Sequence, residues 1–200
     1  EIIKNNQKKI YSKKVDETSG DERIFKIENQ SKYATLFKED NFINSIIFKA
    51  SKSKISSLFI LGGKLKFNKN FVNNSGGGWH RDSDKEQFKA MLYLNNVTSD
   101  NGPFLFIPKS IQFDLNRRIS NENKSILTKL LILIGRVKKH PPRYTDKEVN
   151  NFLNKNKINI NQIKGKAGTV VLFNSSFMHR GKNINQGVRY SFTNYFFKTN

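Results

Sequence analysis

The chain has 200 residues, 36% of them hydrophobic and seventeen of them phenylalanine, which excludes an intrinsically disordered chain and suits one domain with a real core. It has no cysteine, so disulfides and thiolate metal sites are excluded. Lys and Arg number 36 against 16 acidic residues, a formal net charge of +20, but they are scattered in ones and twos ("NNQKK", "KASKSK", "RVKKH") with no long basic block. Taken in chain order, "FKIE" at 25–28 reads as a short strand. Phe42, Ile43, Ile46, Ile47 and Ala50 follow helical spacing, which predicts an amphipathic helix over about 40–54. Two strands follow, "SLFILGG" at 57–63 and "KLKFN" at 64–68, with Gly62-Gly63 as a tight turn between them. "FKAMLYLNNV" at 88–97 is a strand, "SDNGP" at 99–103 supplies turn chemistry, and "FLFIP" at 104–108 is a further short strand.

From about 121 the pattern turns helical, ends near Gly135 and is broken by "HPPRY". Thr145, with Glu148 three residues later, has the form of a capping box that opens another helix. "TVVLF" at 169–173 has the character of a buried strand, and "GVRYSFTNYFF" at 187–197 is a long one. Short strands with turn signals and one helical interruption predict a mainly β, jelly-roll or barrel-like core with flanking helices. The expected organisation is a single domain over 1–200 with a helical insertion at about 114–164, a candidate lid. The longest apolar run, "LLILIG" at 130–135, is far too short for a membrane span. No signal peptide follows Glu1, so a cytoplasmic protein is expected.

The chemistry centres on "GGGWHRDSD" at 76–84. Side chains i and i+2 on a strand point the same way, so His80 and Asp82 can converge on one metal ion. The glycines before them let the backbone pass close to the site. A third ligand must come from elsewhere. Of the two other histidines, His140 lies in "KKHPPR" and reads as a solvated loop residue, whereas His179 follows directly on a buried strand signal. Two imidazoles and a carboxylate on one face of an octahedral ion leave three positions open, the arrangement of non-haem Fe(II) oxygenases. Arg189 lies ten residues beyond His179 in the last strand, with Ser191 on the same face. An arginine there offers a bidentate fork for a carboxylate, unless it is a surface arginine on an edge strand.

With "GWHRD" (78–82), "LNNVTSDNGPFLFIPKS" (94–110), "AGTVVLFNSSFMHRG" (167–181) and "NQGVRYSF" (185–192) in that order, the sequence resembles the phytanoyl-CoA dioxygenase family of Fe(II)/2-oxoglutarate oxygenases. The resemblance covers roughly residues 57–113 and 163–197. It implies a double-stranded β-helix, cupin-like, with Fe(II) on His80, Asp82 and His179 and the far carboxylate of 2-oxoglutarate on Arg189. It further implies O₂ as co-reactant, ascorbate as a stimulant, and hydroxylation of a C–H bond in a small molecule, with succinate and CO₂ as by-products. Ser191, Lys66 and Met91 are further candidates for the pocket, and Trp79, Arg81 and Ser83 flank the ligands. Where family members often carry a hydroxyl two places after the distal histidine, this chain has Gly181, and Ser191 is the candidate to compensate. The basic excess suits an anionic substrate or reflects the bias of a chain rich in Lys, Asn, Ile and Phe. A nucleic-acid-directed oxygenase of the same chemistry is the alternative, and would need a coherent basic groove with stacking aromatics. A non-catalytic cupin-like binding protein is the other alternative. The substrate and the oligomeric state are not legible in the sequence.

Overall fold

The computed structural model describes residues 21–51, 53–67, 78–83, 86–108, 110 and 143–199. The helix expected over 121–135, the loop carrying His140 and the part of the candidate lid before residue 143 lie outside the described residues.

Among the described residues, ten strands form two antiparallel sheets. They are β1 (Glu22–Phe25), β2 (Ile55–Lys66), β3 (Trp79–His80), β4 (Phe88–Tyr93), β5 (Phe104–Phe106), β6 (Arg143–Tyr144), β7 (Asn161–Ile163), β8 (Val170–Asn174), β9 (His179–Gly181) and β10 (Val188–Lys198). The larger sheet has the order β1-β2-β10-β4-β8 and the smaller one β6-β3-β9-β5-β7. Consecutive neighbours thus come from distant parts of the sequence, the weave of a double-stranded β-helix. That fold was the one expected.

Strand alternation explains the layers. In β4, Ala90 joins a cluster with Ile24, Ile47, Ile60 and Phe192, and helices α1 (Lys32–Glu39) and α2 (Asn41–Ala50) cover it through Ala34, Phe37 and Ile43. Met91 and Tyr93, on the opposite face of the same strand, pack with Phe104 between the two sheets. On the outer side of the smaller sheet, Trp79, Leu105 and Met178 pack against Val149 and Phe152 of α3 (Asp146–Asn156). The capping box of α3 forms as the sequence predicts. The Thr145 hydroxyl accepts from the Glu148 amide at 3.2 Å, and the Glu148 carboxylate accepts from the Thr145 amide at 2.8 Å.

Several elements differ from expectation. β2 runs unbroken through Gly62 and Gly63, paired with β10 from Ile55↔Lys198 to Lys66↔Val188, so no turn divides 57–68. The two glycines are close-approach residues instead. A Cβ on Gly62 would sit 2.7 Å from Ile27 Cδ1, and one on Gly63 would sit 3.4 Å from Ser191 Oγ, on the cavity side. "FKIE" is not a strand. β1 ends at Phe25, Lys26 adopts a left-handed conformation (φ 56°), and Ile27–Asn29 forms a 3₁₀ turn that lays Ile27 on the sheet. The helix expected over 40–54 stops at Ala50, where Ser51 turns extended. Helix α1 was not anticipated, because it buries only Ala34 and Phe37 and so shows little apolar periodicity. The end of the segment read as a helical insertion already belongs to the smaller sheet: β6 pairs with β3 and β7 with β5.

The turn at 99–103 is present, and Gly102 adopts φ +80° there. A Cβ on it would lie 2.7 Å from Ile184 and 3.1 Å from the Lys182 carbonyl. Gly102→Ala should therefore destabilise the fold by about 1–2 kcal/mol, read as a shifted urea midpoint at unchanged slope. A midpoint equal to that of the parent chain would show that this turn relaxes freely.

Candidate metal and carboxylate site

His80 closes β3, and the first residue of β9 is His179, its direct cross-strand partner. Asp82 lies just past the end of β3 rather than within it. Its position is set by tertiary hydrogen bonds. The Asp82 amide donates to the Ser175 carbonyl at 3.0 Å, and the buried Arg81 side chain donates through Nε to the Ser176 carbonyl. Both bonds tie the His80–Asp82 segment to the chain that leads into His179.

The three side chains converge. His179 Nε2 is 3.1 Å from Asp82 Oδ2, and His80 Nε2 is 3.8 Å from Asp82 Oδ1. One ligand atom from each residue lies within 4.8 Å of the others, the one such cluster found among the described residues. Both imidazoles are aimed from behind. His80 Nδ1 is 2.7 Å from the Gly78 carbonyl and His179 Nδ1 is 2.8 Å from the Phe177 carbonyl. A carbonyl only accepts, so Nδ1 donates in both rings and Nε2 is the nitrogen turned towards the other two side chains. The 3.1 Å between His179 Nε2 and Asp82 Oδ2 is bridged by a proton in the hydrogen bond, and a metal ion would take that proton's place. The donor set, two neutral imidazole nitrogens and a carboxylate, suits a divalent first-row ion.

Electrostatics point the same way. Burial, then the neighbouring His179, push His80 down to about 4, against the opposing pull of Asp82. Burial of Asp82 acts to raise its pKa. The hydrogen bond to His179 and the charges of Lys89 and the histidines outweigh it and hold the carboxyl well below the usual carboxylate range. A measurable consequence follows for the metal-free chain. The unfolded chain takes up a proton at His80 near 6.5, the folded one only near 4, so stability falls as pH drops through that window. The loss should reach about 3 kcal/mol near the lower end, and His80→Gln should flatten this part of the profile. A stability curve that stays level between these values in the parent chain would contradict the burial of His80.

A cavity of about 290 Å³ opens beside the cluster, lined by the inward faces of β2, β4 and β10. Arg189 and Ser191 line it, as does Met91. Arg189 is 7% exposed and donates through Nη1 to the Gly102 carbonyl, while its Nε, equally buried, has no hydrogen-bond partner among the described residues. Burial lowers its pKa, yet a guanidinium keeps its proton in a protein. A buried cation in the wall of a cavity fits a carboxylate. Lys66 is placed elsewhere. It ends β2, is half exposed, approaches Glu22 at 3.8 Å and does not line the cavity. Trp79 lies on the other face of β3, in the cluster against α3, under the Arg180 guanidinium at 4.6 Å. Sequence reasoning passed over Lys89, Thr193 and Tyr195, all in the cavity wall. Period-2 alternation from Met91 and Ser191 would have found them.

Two sheets woven in this order, with a His-x-Asp pair and a distal histidine between them, define a cupin-like double-stranded β-helix with a candidate metal centre. The chain matches the model of the phytanoyl-CoA dioxygenase (PhyH) family over residues 4–190 and belongs to that family. No curated protein matches it. Among solved structures it is similar to the non-heme alpha ketoglutarate dependent carbocyclase SnoK from nogalamycin biosynthesis, at 11% identity and a TM-score of 0.63, with 98% of this chain and 70% of that one covered. EctD from S. alaskensis with bound Fe gives 15% identity and a TM-score of 0.58 over 88% of this chain and 56% of that one. HygX from Streptomyces hygroscopicus with nickel and 2-oxoglutarate bound gives 13%, 0.56, 90% and 70%. The chain spans less than two thirds of the length of several of these proteins, 63% for the epimerase SnoN and 56% for iron-bound EctD. At these identities the likeness establishes the fold. No helix among the described residues is long and apolar enough to cross a membrane.

Proposed function

We propose that the chain is an Fe(II)- and 2-oxoglutarate-dependent dioxygenase that hydroxylates a C–H bond of a small molecule. One observation carries this reading. The donors of His80, Asp82 and His179 converge beside a cavity that also holds the buried guanidinium of Arg189. His80, Asp82 and His179 would hold Fe(II). Arg189 would hold the far carboxylate of 2-oxoglutarate, with Ser191 beside it. With 2-oxoglutarate and O₂, bound iron supplies the oxidising power for C–H hydroxylation, and succinate and CO₂ are released.

The residues of the chain do the rest. The Gly78 and Phe177 carbonyls fix the imidazole tautomers, so both Nε2 atoms stay available to the metal. Arg81 holds the His80–Asp82 segment to the turn before His179. Phe104 and Phe173 wall the cavity beside His179, with ring centroids 5.5 and 5.4 Å from the imidazole, and keep water from that side. Arg143, exposed and paired in register with His80, stands on the cavity wall and suits an anionic substrate group. The match to the PhyH family model and the structural neighbours named for iron or ketoglutarate support the reading. The test is succinate release on adding Fe(II), ascorbate and 2-oxoglutarate. Release that depends on all three and stops with a chelator is expected. An iron-loaded chain that never consumes 2-oxoglutarate, with any of a broad panel of small metabolites present, would refute it.

A further inference from the structure

Lys89 has no part in the chemistry above, and its surroundings are unusual for a lysine. It lies on β4, pointing inward with Met91, and is only 5% exposed. Its Nζ donates to Asp82 Oδ2 at 2.8 Å and stands 4.0 Å from the centroid of the Tyr195 ring. An ammonium has three donors. Asp82 takes one, the ring face accommodates another, and among the described residues no further acceptor meets Nζ. The cavity lies on the remaining side.

Pairing with Asp82 alone does not account for this residue. Asp82 already faces two imidazoles and, in the reading above, a dication. A further positive charge beside a dication is repelled by it, and the single charge of Asp82 does not balance both. Burying an ammonium is costly while one of its donors goes unmet. Both costs disappear if a negatively charged oxygen enters the cavity next to Asp82. Arg189 serves the same cavity from a different stretch of the strand pair. Tyr195 pairs with Lys89 and Ser191 with Tyr93, so Arg189 and Lys89 lie towards opposite ends of the β4–β10 contact.

We infer that Lys89 is a second anion-binding residue of this site, and that the cavity takes a dicarboxylate between two protein cations. Arg189 holds the far carboxylate, and Lys89 holds the near one, beside Asp82. The inference rests on the oxygenase reading and assigns Lys89 to the 2-oxo acid end of the cosubstrate.

Three ligands separate the two ends. 2-Oxoglutarate has both carboxylates, 4-oxopentanoate keeps only the far one, and 2-oxobutanoate keeps only the near one. Their affinities are measured by ligand-observed NMR on the metal-free full chain, where protein groups alone hold the ligand, and repeated on the nickel-loaded chain. Lys89→Met should weaken 2-oxoglutarate and 2-oxobutanoate about tenfold or more and leave 4-oxopentanoate unchanged. Lys89→Arg, which keeps the charge, should recover most of the loss. Arg189→Met should give the reverse pattern, weakening 2-oxoglutarate and 4-oxopentanoate only. If Lys89→Met fails to fold, Lys89→Gln keeps a donor for Asp82 without the charge and replaces it. An equal loss for all three ligands, or no loss for any, would overturn the role of Lys89 while leaving the oxygenase reading intact. Failure of the parent chain to bind 2-oxoglutarate in either form would instead sink that reading, and this inference with it.

Discussion

His179→Ala should abolish stoichiometric Fe(II) binding and, with it, all 2-oxoglutarate turnover. The imidazole is 5% exposed and held by the Phe177 carbonyl at 2.8 Å, so its Nε2 cannot be replaced by a neighbouring side chain without moving β9. The two donors left, on His80 and Asp82, stand 3.8 Å apart, and a pair of donors competes poorly with water for a hard dication. Metal content of the purified variant, measured after desalting, checks this directly. His80→Ala should behave in the same way. Full iron content together with full activity in either variant would mean that the metal is held elsewhere.

Arg189→Lys should weaken 2-oxoglutarate binding by about ten- to a hundredfold with iron content intact, corresponding to about 1.5–3 kcal/mol for a charge-assisted contact. The substitution keeps the charge and removes the planar fork. In the parent chain that fork divides its work: Nη1 donates to the Gly102 carbonyl, and the guanidinium keeps further donors for a ligand in the cavity that Arg189 lines. Lysine cannot serve both from one point charge. Titration of the nickel-loaded variant with 2-oxoglutarate reads the effect without turnover. An affinity equal to that of the parent chain would remove Arg189 from the site.

His80, Asp82, His179 and Arg189 were all named from spacing and flanking pattern. That was feasible because metal and carboxylate chemistry draws on few residue types, and the chain has only three histidines. The large strands were legible for a related reason. β4 and β10 lie inside the larger sheet, β8 is half-buried at its edge, and the apolar content of all three is high. The glycine pair at 62–63 was misread because glycine marks both turns and close approaches, and only the position of Ile27 distinguishes them. Lys66 was assigned to the pocket while its neighbour Leu65 occupies that place, an error of one residue that sends a strand side chain to the opposite face.

The sequence by itself determined which side chains are candidates to bind a metal and a carboxylate, and that the core would be woven from short strands. Both are properties of residue type and local period. The tertiary structure alone decided how Asp82, past the end of its strand, is turned onto the two histidines. It did so through bonds from Arg81 and the Asp82 amide to the Ser175–Ser176 carbonyls, more than ninety residues away. It alone placed the Lys89 ammonium against Asp82 and Tyr195. Contacts across that separation depend on which strands become neighbours, and strand order is set by the packing of the whole core rather than by any local pattern.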